Sequence, residues 1–539
     1  MMRTTVPALL DARAADAPEQ GIAFPDGRAS YPELADRTRR LAAALWAHGV
    51  RPGDRVGVLL HGSLDSVLTW LAASRIGAVA VPVNVRFRAA ELRRLLDDAD
   101  LAVLLTGGAF AGVLDEALAE LGGGAPPVVV LDDGPAPVGA TGRAAFEAAA
   151  DDVAAAAVEA AQAAIGPDDP AVMLYTSGTT SGPRGCLHSH ASLVHVGASL
   201  ARRLELTPDD RFWTPLPMFH CGGLDVALTA LAAGCGMVHV GTFEPGRALR
   251  QLVEERCTVA FPAFETIWLP VLDHPDFAAA DLSALRLVLN VGSPERMRSM
   301  QARLPHAVQL SCMGMTESMG FCCVGSPADP AERRATTCGT PLPGMEVRVV
   351  DPATGAEVPP GTPGEFRFRG VSRMLAYHRD PELTARRIDA DGWFASGDQV
   401  VADGTGALRF LTRLDDRLKI GGENLAATEL EGFLCEHPAV GIVQVVGAPD
   451  ARYGEVAAAF VQLRPGASAT EQDIVDHCLG RISTFKVPRY VRFVADGEWP
   501  MSGTKVQKFR LRARIAEELA ARGVTEAPRM VAPPPSGGR

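Results

Sequence analysis

Apolar positions along the first third of the chain change period again and again. After Tyr31-Pro32-Glu33-Leu34, the residues Leu34, Thr38, Leu41, Leu45 and Trp46 recur every three or four positions, which predicts an amphipathic helix running up to Gly49. Arg55-Val56-Gly57-Val58-Leu59-Leu60 is a short unbroken run and reads as a buried strand; residues 64–76 return to helical spacing and residues 79–83 form another strand run. Residues 91–98, 101–105, 114–121 and 128–131 repeat the alternation. Helices alternating with fully apolar strands predict βαβ units and a parallel sheet. Ahead of them, residues 1–30 carry Pro7, Pro18 and Pro25 and read as an entry strap.

Residues 135–162 are rich in Ala, Gly and Asp with weak periodicity, and predict a surface excursion holding one Ala-rich helix. Ala171-Val172-Met173-Leu174-Tyr175 is again a buried strand, and the βα alternation continues to Asn290. Over residues 346–410 the pattern changes: short apolar runs are punctuated by Pro-Ala-Thr-Gly, Pro-Pro-Gly and Asp-Gly, which predicts a mainly antiparallel β subdomain. Beyond Leu411-Thr412-Arg413-Leu414-Asp415-Asp416-Arg417 a small α+β unit follows, with helices at 427–436 and 471–481 and strands at 440–446, 457–463 and 491–494. The expected fold class is α/β, with a large N-terminal domain over 1–412 made of layered βα units plus a β-rich subdomain. A small C-terminal domain over 413–526 and a Pro-, Gly- and Ser-rich tail over 527–539, expected to be disordered, complete the chain.

Composition narrows the class of partner. The 539 residues are 47% hydrophobic and 22% charged with a net charge of -12, which argues against non-specific nucleic-acid binding and requires local basic groups for any anionic substrate. Ten cysteines show no C-x-x-C pair, so neither a disulfide frame nor a zinc site is spelled out. The most apolar windows carry Arg75 and Asp225, so no membrane span is expected and the cytoplasm is the expected compartment.

Four stretches hold candidate chemistry. Thr176-Ser177-Gly178-Thr179-Thr180-Ser181-Gly182-Pro183-Arg184 follows the 171–175 strand and precedes helical spacing at 188–200, so it is expected on a strand-to-helix turn. Glycines let backbone N–H groups approach anionic oxygens, hydroxyls add donors and Arg184 a fixed positive fork, as a polyphosphate requires; an ordinary polar surface turn accounts for the same residues equally well. Met313-Gly314-Met315-Thr316-Glu317 sets a carboxylate just past an apolar run, which suits a Mg²⁺ ion shared with phosphates, although on these residues alone a helix N-cap box, with Thr316 capping and Glu317 in the first turn, is the commoner arrangement. Ser396-Gly397-Asp398 offers one carboxylate able to accept two ribose hydroxyl protons, or a simple turn. Lys505, in Ser502-Gly503-Thr504-Lys505-Val506-Gln507-Lys508, reads on its own as a solvated charge.

In order and spacing these stretches resemble the adenylate-forming superfamily, most closely acyl-CoA synthetases and fatty-acid or aryl-acid CoA ligases, over residues 31–514. The resemblance implies a two-step enzyme: ATP and a carboxylic acid give an acyl-adenylate and pyrophosphate, then the thiol of CoA takes the acyl group. It places Thr176, Ser177, Gly178, Thr179, Thr180 and Arg184 on the phosphates, Thr316 on the α-phosphate, Glu317 on Mg²⁺, Met313 and Gly314 against adenine, and Asp398 and Arg413 on the ribose. It makes Asp415 the hinge of a mobile small domain, Gly421 and Gly422 the CoA tunnel, Lys505 the cation at the reacting phosphate, and His220 the gate of an acyl pocket lined by Phe219, Gly223, Phe264, Val291 and Gly292. The sequence departs from the family pattern at Ser181, where glycine is usual, at Arg184, where lysine is usual, and at Met313, where an aromatic residue is usual; the loop before Lys505 is one residue short. A carrier-protein thiol, an amine or another small nucleophile is the alternative acceptor, and a non-catalytic nucleotide- or acyl-binding homologue the alternative class. Oligomeric state is not legible in the pattern.

Overall fold

The computed structural model of the protein describes residues 4–121, 124–176, 184–414, 417–420, 423–502 and 505–528, without the side chains of Arg417, Asn424, Ser502 and Lys505. Two large, mostly parallel sheets dominate the N-terminal domain. One has the order Ala376–Tyr377, Gly185–Ser189, Pro170–Tyr175, Val79–Pro82, Arg55–Leu59, Leu101–Thr106, Val128–Val130, Thr141–Gly142. The other runs Val308–Leu310, Leu287–Val291, Val259–Phe264, Arg211–Thr214, Gly236–His239, Gly21–Phe24, Gly27–Ser30. Helices His190–Arg203 and Cys221–Ala233 are buried along most of their length and join the two sheets into one core. They approach closely: a β-carbon on Gly197 would lie 2.6 Å from the Leu228 carbonyl oxygen, so only glycine fits there.

The predicted helix is present as Tyr31–Ala47, opened by a reciprocal cap in which Ser30 and Glu33 bond each other's backbone N–H. The entry strap is not a strap. Val6–Asp16 is a helix capped by Thr5, with Val6 and Leu10 buried one turn apart, and the strands Gly21–Phe24 and Gly27–Ser30 form a hairpin that pairs in parallel with Gly236–His239 and extends the sheet. Proline at the first turn of a helix removes only an N–H that would have lacked a partner, so Pro7 did not break it. The 135–162 excursion holds two helices, Arg143–Ala148 and Ala155–Ala164, pinned by buried Phe146, Val158 and Ala161.

The β subdomain is antiparallel as expected, in the order Met345–Val350, Gly364–Gly370, Phe394–Ala402, Leu408–Arg413, and Arg413 is the last residue of its edge strand. The small C-terminal domain has its own sheet, in which Arg417–Ile420 pairs with Glu423–Ala426 and the long strands Val440–Asp450 and Gly454–Leu463 pair antiparallel. Helix Lys508–Ala521 was not anticipated; Leu511, Ile515 and Leu519 bury its inner face. Between the domains, Arg296 donates to the Gly441 carbonyl and to Cys435 Sγ at 3.2 Å, while its Nε lies 3.2 Å from Glu265 Oε2. Thr428 Oγ1 donates to the Leu411 carbonyl.

Candidate active site

The segment expected to hold phosphate does not lead into a helix. Gly185–Ser189 pairs antiparallel with Pro170–Tyr175, with Leu174 opposite Cys186 and Tyr175 opposite Gly185, so these two strands are the arms of a hairpin and the helix starts only at His190. The cause is burial: Gly185, Cys186, His188 and Ser189 face the core, and strand pairing satisfies their backbone groups there. The neck of the hairpin is closed by the Thr176 N–H donating to the Arg184 carbonyl at 2.9 Å. Ser177, Gly178, Thr179 and Thr180 lie outside the described residues, as do Asp415, Gly421 and Gly422.

Thr316 and Glu317 form a short turn after the strand Cys312–Met313, and this turn is fastened once to the hairpin and once to the strand Ala376–Tyr377 that pairs with it. His188 Nε2 donates to the Thr316 carbonyl at 2.8 Å, and Tyr377, paired in register with Cys186, donates its hydroxyl to Glu317 Oε1 at 2.7 Å. The Met374 N–H holds the Glu317 carbonyl at 2.8 Å. Burial brings the His188 imidazole down to about 4, so it is neutral and Nε2 keeps its proton. Burial and the Glu317 charge push the Tyr377 hydroxyl far up, so it stays a donor. Burial also raises the Cys186 thiol, with Glu317 adding to the effect and Arg184 opposing it, which places both charges around the same hairpin strand. Neither His188 nor Tyr377 stood out in the sequence: no local pattern separates them from neighbouring strand residues.

Met313 is buried where its strand pairs with Cys323–Val324. Gly314 approaches the backbone of Gly320 so closely that a β-carbon would lie 1.9 Å from its carbonyl oxygen. Asp398 and Arg413 face each other across two antiparallel strands, with Arg413 Nε 2.9 Å from Asp398 Oδ1; the carboxylate is buried and the guanidinium half exposed. The Asp398 N–H donates to Ser396 Oγ at 3.0 Å, which orders the irregular stretch of the strand at Gly397, whose φ of +74° is open to glycine and costly for other residues.

His220 caps the helix Cys221–Ala233 from an extended backbone, its ring 4.6 Å from that of Phe219. Gly223 leaves no room for a side chain beside the Pro217 carbonyl, 2.5 Å from a built β-carbon. Phe264 and Val291 are direct partners at the carboxyl ends of two parallel strands, the position where open α/β sheets place ligands, and Val291 and Gly292 are exposed there. Ala263, next to Phe264, holds φ at +65°, a strained value for alanine at a register shift in this strand. Lys505 stands in a two-stranded hairpin opposite Ser502, and Lys508 beyond it pairs with Glu431 at 2.6 Å.

Among the described residues no three His, Cys, Asp or Glu side chains cluster as a metal site. One carboxylate held by a tyrosine hydroxyl, beside a threonine, is the donor set of an ion that arrives with nucleotide phosphates and keeps its water. All ten cysteines are free thiols. No helix among the described residues is long and apolar enough to cross a membrane.

A hairpin bound to a Thr-Glu turn, with a buried aspartate paired to an arginine at the edge of a β subdomain, belongs to the adenylate-forming fold. Accordingly, the AMP-binding enzyme family matches residues 10–378 and the AMP-binding enzyme C-terminal domain matches residues 429–505. The chain belongs to the AMP-binding enzymes and, within them, stands among acid–CoA ligases. It is 36% identical to the methyl-dioxo-octahydroindenyl propanoyl:CoA ligase of Mycobacterium tuberculosis over 91% of this chain and 95% of that one. With the mitochondrial medium-chain acyl-CoA ligase ACSF2 of Bos taurus it shares 30% over 96% of this chain and 88% of the relative. The crystal structure of the anthranilate CoA ligase AuaEII with anthranoyl-AMP superposes with a TM-score of 0.86 at 25% identity, covering 96% of this chain and all of that one.

Proposed function

We propose that the protein joins a carboxylic acid, aliphatic or aryl, to CoA through an acyl-adenylate. An oxygen of the substrate carboxylate attacks the α-phosphorus of ATP, the α–β bridging bond breaks and pyrophosphate leaves. The CoA sulfur then attacks the acyl carbonyl and AMP leaves, a far better leaving group than the oxide of a free acid. The cytoplasm is the proposed compartment.

The observation that carries this reading is the double attachment of the Thr316–Glu317 turn, to the hairpin through His188 and to the adjoining strand Ala376–Tyr377 through Tyr377. Because both partners are neutral, they orient the turn without competing for its charge. Glu317 would hold Mg²⁺ together with the phosphates, where the ion offsets the charge that gathers on the departing pyrophosphate. The Thr316 hydroxyl is assigned to the α-phosphate, Asp398 to the ribose hydroxyls with Arg413 beside it, and buried Met313 to the adenine face. Lys505 is assigned to the reacting oxygens, where a positive charge favours the transition state over the ground state. Residues 1–412 and 413–526 are the proposed rigid parts, turning about Asp415 so that Lys505 serves the first step and Gly421-Gly422 the second.

Lys505→Ala tests the assignment. It should abolish ATP–pyrophosphate exchange across a panel of carboxylic acids while sparing transfer to CoA from preformed acyl-adenylate. Equal loss of both half-reactions would remove Lys505 from the chemistry of the first.

A further inference from the structure

One acidic side chain has no part in the chemistry above. Asp225 lies on the helix Cys221–Ala233 and is fully buried, and among the described residues neither of its carboxyl oxygens has a hydrogen-bond partner. Its place is set by a missing side chain: a β-carbon built on Gly320 would stand 1.8 Å from Asp225 Oδ2, so the carboxyl group fills the volume that any other residue at 320 would occupy. The adjoining helix positions Leu224, Val226, Ala227 and Leu228 are buried and apolar. Burial pushes the Asp225 carboxyl well above the usual carboxylate range. A buried polar group left without a partner costs about 1–3 kcal/mol, and a leucine would fill the same space at no such cost. Packing alone therefore does not account for an aspartate here.

Its surroundings indicate what does. Gly320 is three residues beyond Glu317. Phe321, next in the chain, lies 5.1 Å ring to ring from Phe261, on the strand that ends at Phe264 beside Val291. Asp225 lies in the second turn of the helix that His220 precedes. Through Gly320 it thus meets the segment that carries Glu317 and Phe321, and its own helix joins it to His220 and Gly223.

We propose that Asp225 is a specificity residue for the acid: the substrate carries a neutral oxygen, hydroxyl or carbonyl, at a distance from its reacting carboxylate, and that oxygen pairs with the Asp225 carboxyl. This rests on the adenylation reading of the site. An uncharged carboxyl group is both donor and acceptor, the complement of a hydroxyl or a carbonyl. An ammonium group, with three donors, would find a single acceptor group and apolar walls. A pure hydrocarbon acid would leave both Asp225 oxygens unpaired in the complex as well, and sites built to bond a substrate oxygen reject analogues that lack it.

The experiment measures kcat/KM for ATP–pyrophosphate exchange by the full-length protein. The panel holds straight-chain and aryl acids, each beside its hydroxy, oxo and amino derivatives at graded positions. In the wild type the best hydroxy or oxo acid should exceed its hydrocarbon parent by about tenfold or more, equivalent to about 1.4 kcal/mol. Asp225→Asn, which keeps a donor and an acceptor, should preserve that ranking, and Asp225→Leu should erase it or reverse it toward the hydrocarbon. A wild type that prefers hydrocarbon or amino acids overturns the proposal, as does an Asp225→Leu variant with an unchanged ratio. If that variant does not fold, the wild-type ranking and the Asn variant decide. Absence of exchange with every acid would instead strike the adenylation reading, a result distinguishable from any change in ranking.

Discussion

Gly314→Ala measures how tightly the Thr316–Glu317 turn is held. A β-carbon at this position would lie 1.9 Å from the Gly320 carbonyl oxygen, 2.7 Å from its carbon and 3.0 Å from the Cys322 nitrogen. All three are backbone atoms, so no rotamer change relieves the contact. Restoring an ordinary separation of 3.4 Å requires the two segments to part by about 1.5 Å. They are joined there by the Cys322 N–H on the Met313 carbonyl and the Gly320 N–H on the Met315 carbonyl, both at 2.9 Å. Overpacking of this kind costs about 1–3 kcal/mol and a lost backbone hydrogen bond about 1 kcal/mol more, a total of about 2–4 kcal/mol. A turn displaced by about 1 Å should slow the chemical step by about a hundredfold. Thermal unfolding should fall by a few degrees, and ATP–pyrophosphate exchange at saturating acid should drop far more steeply. Gly112→Ala is the control: it lies in the helix Ala111–Ala119 with nothing within 4 Å of the added carbon, and should leave exchange unchanged while adding up to about 0.5–1 kcal/mol of stability. Wild-type exchange in Gly314→Ala would refute the argument that this close approach sets the position of Glu317.

Tyr377→Phe removes the hydroxyl bond to Glu317, worth about 1.5–3 kcal/mol to a charged acceptor, and should raise the magnesium concentration needed for half-maximal exchange by about tenfold or more; an unchanged magnesium titration would show that Glu317 needs no such support. Arg75→Met strips a fully buried guanidinium from Asp11, Gln162 and Thr38 and should destabilise the N-terminal domain by about 3 kcal/mol, read as a lower urea midpoint. His188, His190 and His239 are buried with imidazoles at about 4, so the unfolded chain takes up protons before the native one does; their contribution is complete above pH 6.5 and drains away as pH falls toward 4, with the carboxyls of Asp225 and Glu265, raised by burial, acting in the opposite direction. His239→Gln should therefore flatten the decline by about 1.4 kcal/mol per pH unit in that window, and denaturant unfolding at pH 7, 6, 5 and 4.5 would expose an unchanged slope.

Local chemistry was far more legible in the sequence than long-range pairing. The 3.6-residue spacing from Leu34 to Leu45 and the unbroken run at Val56-Gly57-Val58-Leu59 report a buried face directly, and both elements appear where expected. The Gly185–Ser189 strand does not announce itself: His188 and Ser189 look polar, and they become strand residues only because a partner at Val172 to Leu174 pairs with them and the core closes over them. Residues 4–30 mislead for a related reason, since their hairpin owes its place to an edge more than two hundred residues away in sequence. The motif order pointed to Thr316, Glu317, Asp398 and Arg413, and the structure pairs Asp398 with Arg413. The groups that position Glu317 carry no motif, because a tyrosine hydroxyl becomes a support only once folding brings it to the carboxylate.

Arg296 reaches from the large domain to a carbonyl and a thiol of the small one while keeping Glu265 beside its Nε. Were the small domain to swivel, the guanidinium would surrender those two acceptors but retain its carboxylate, so the departure strands no lone ion. Such an arrangement acts as a detent: it favours one resting angle by roughly the worth of two exchanged hydrogen bonds, about 1–3 kcal/mol, enough to bias populations yet slight enough for thermal motion to override.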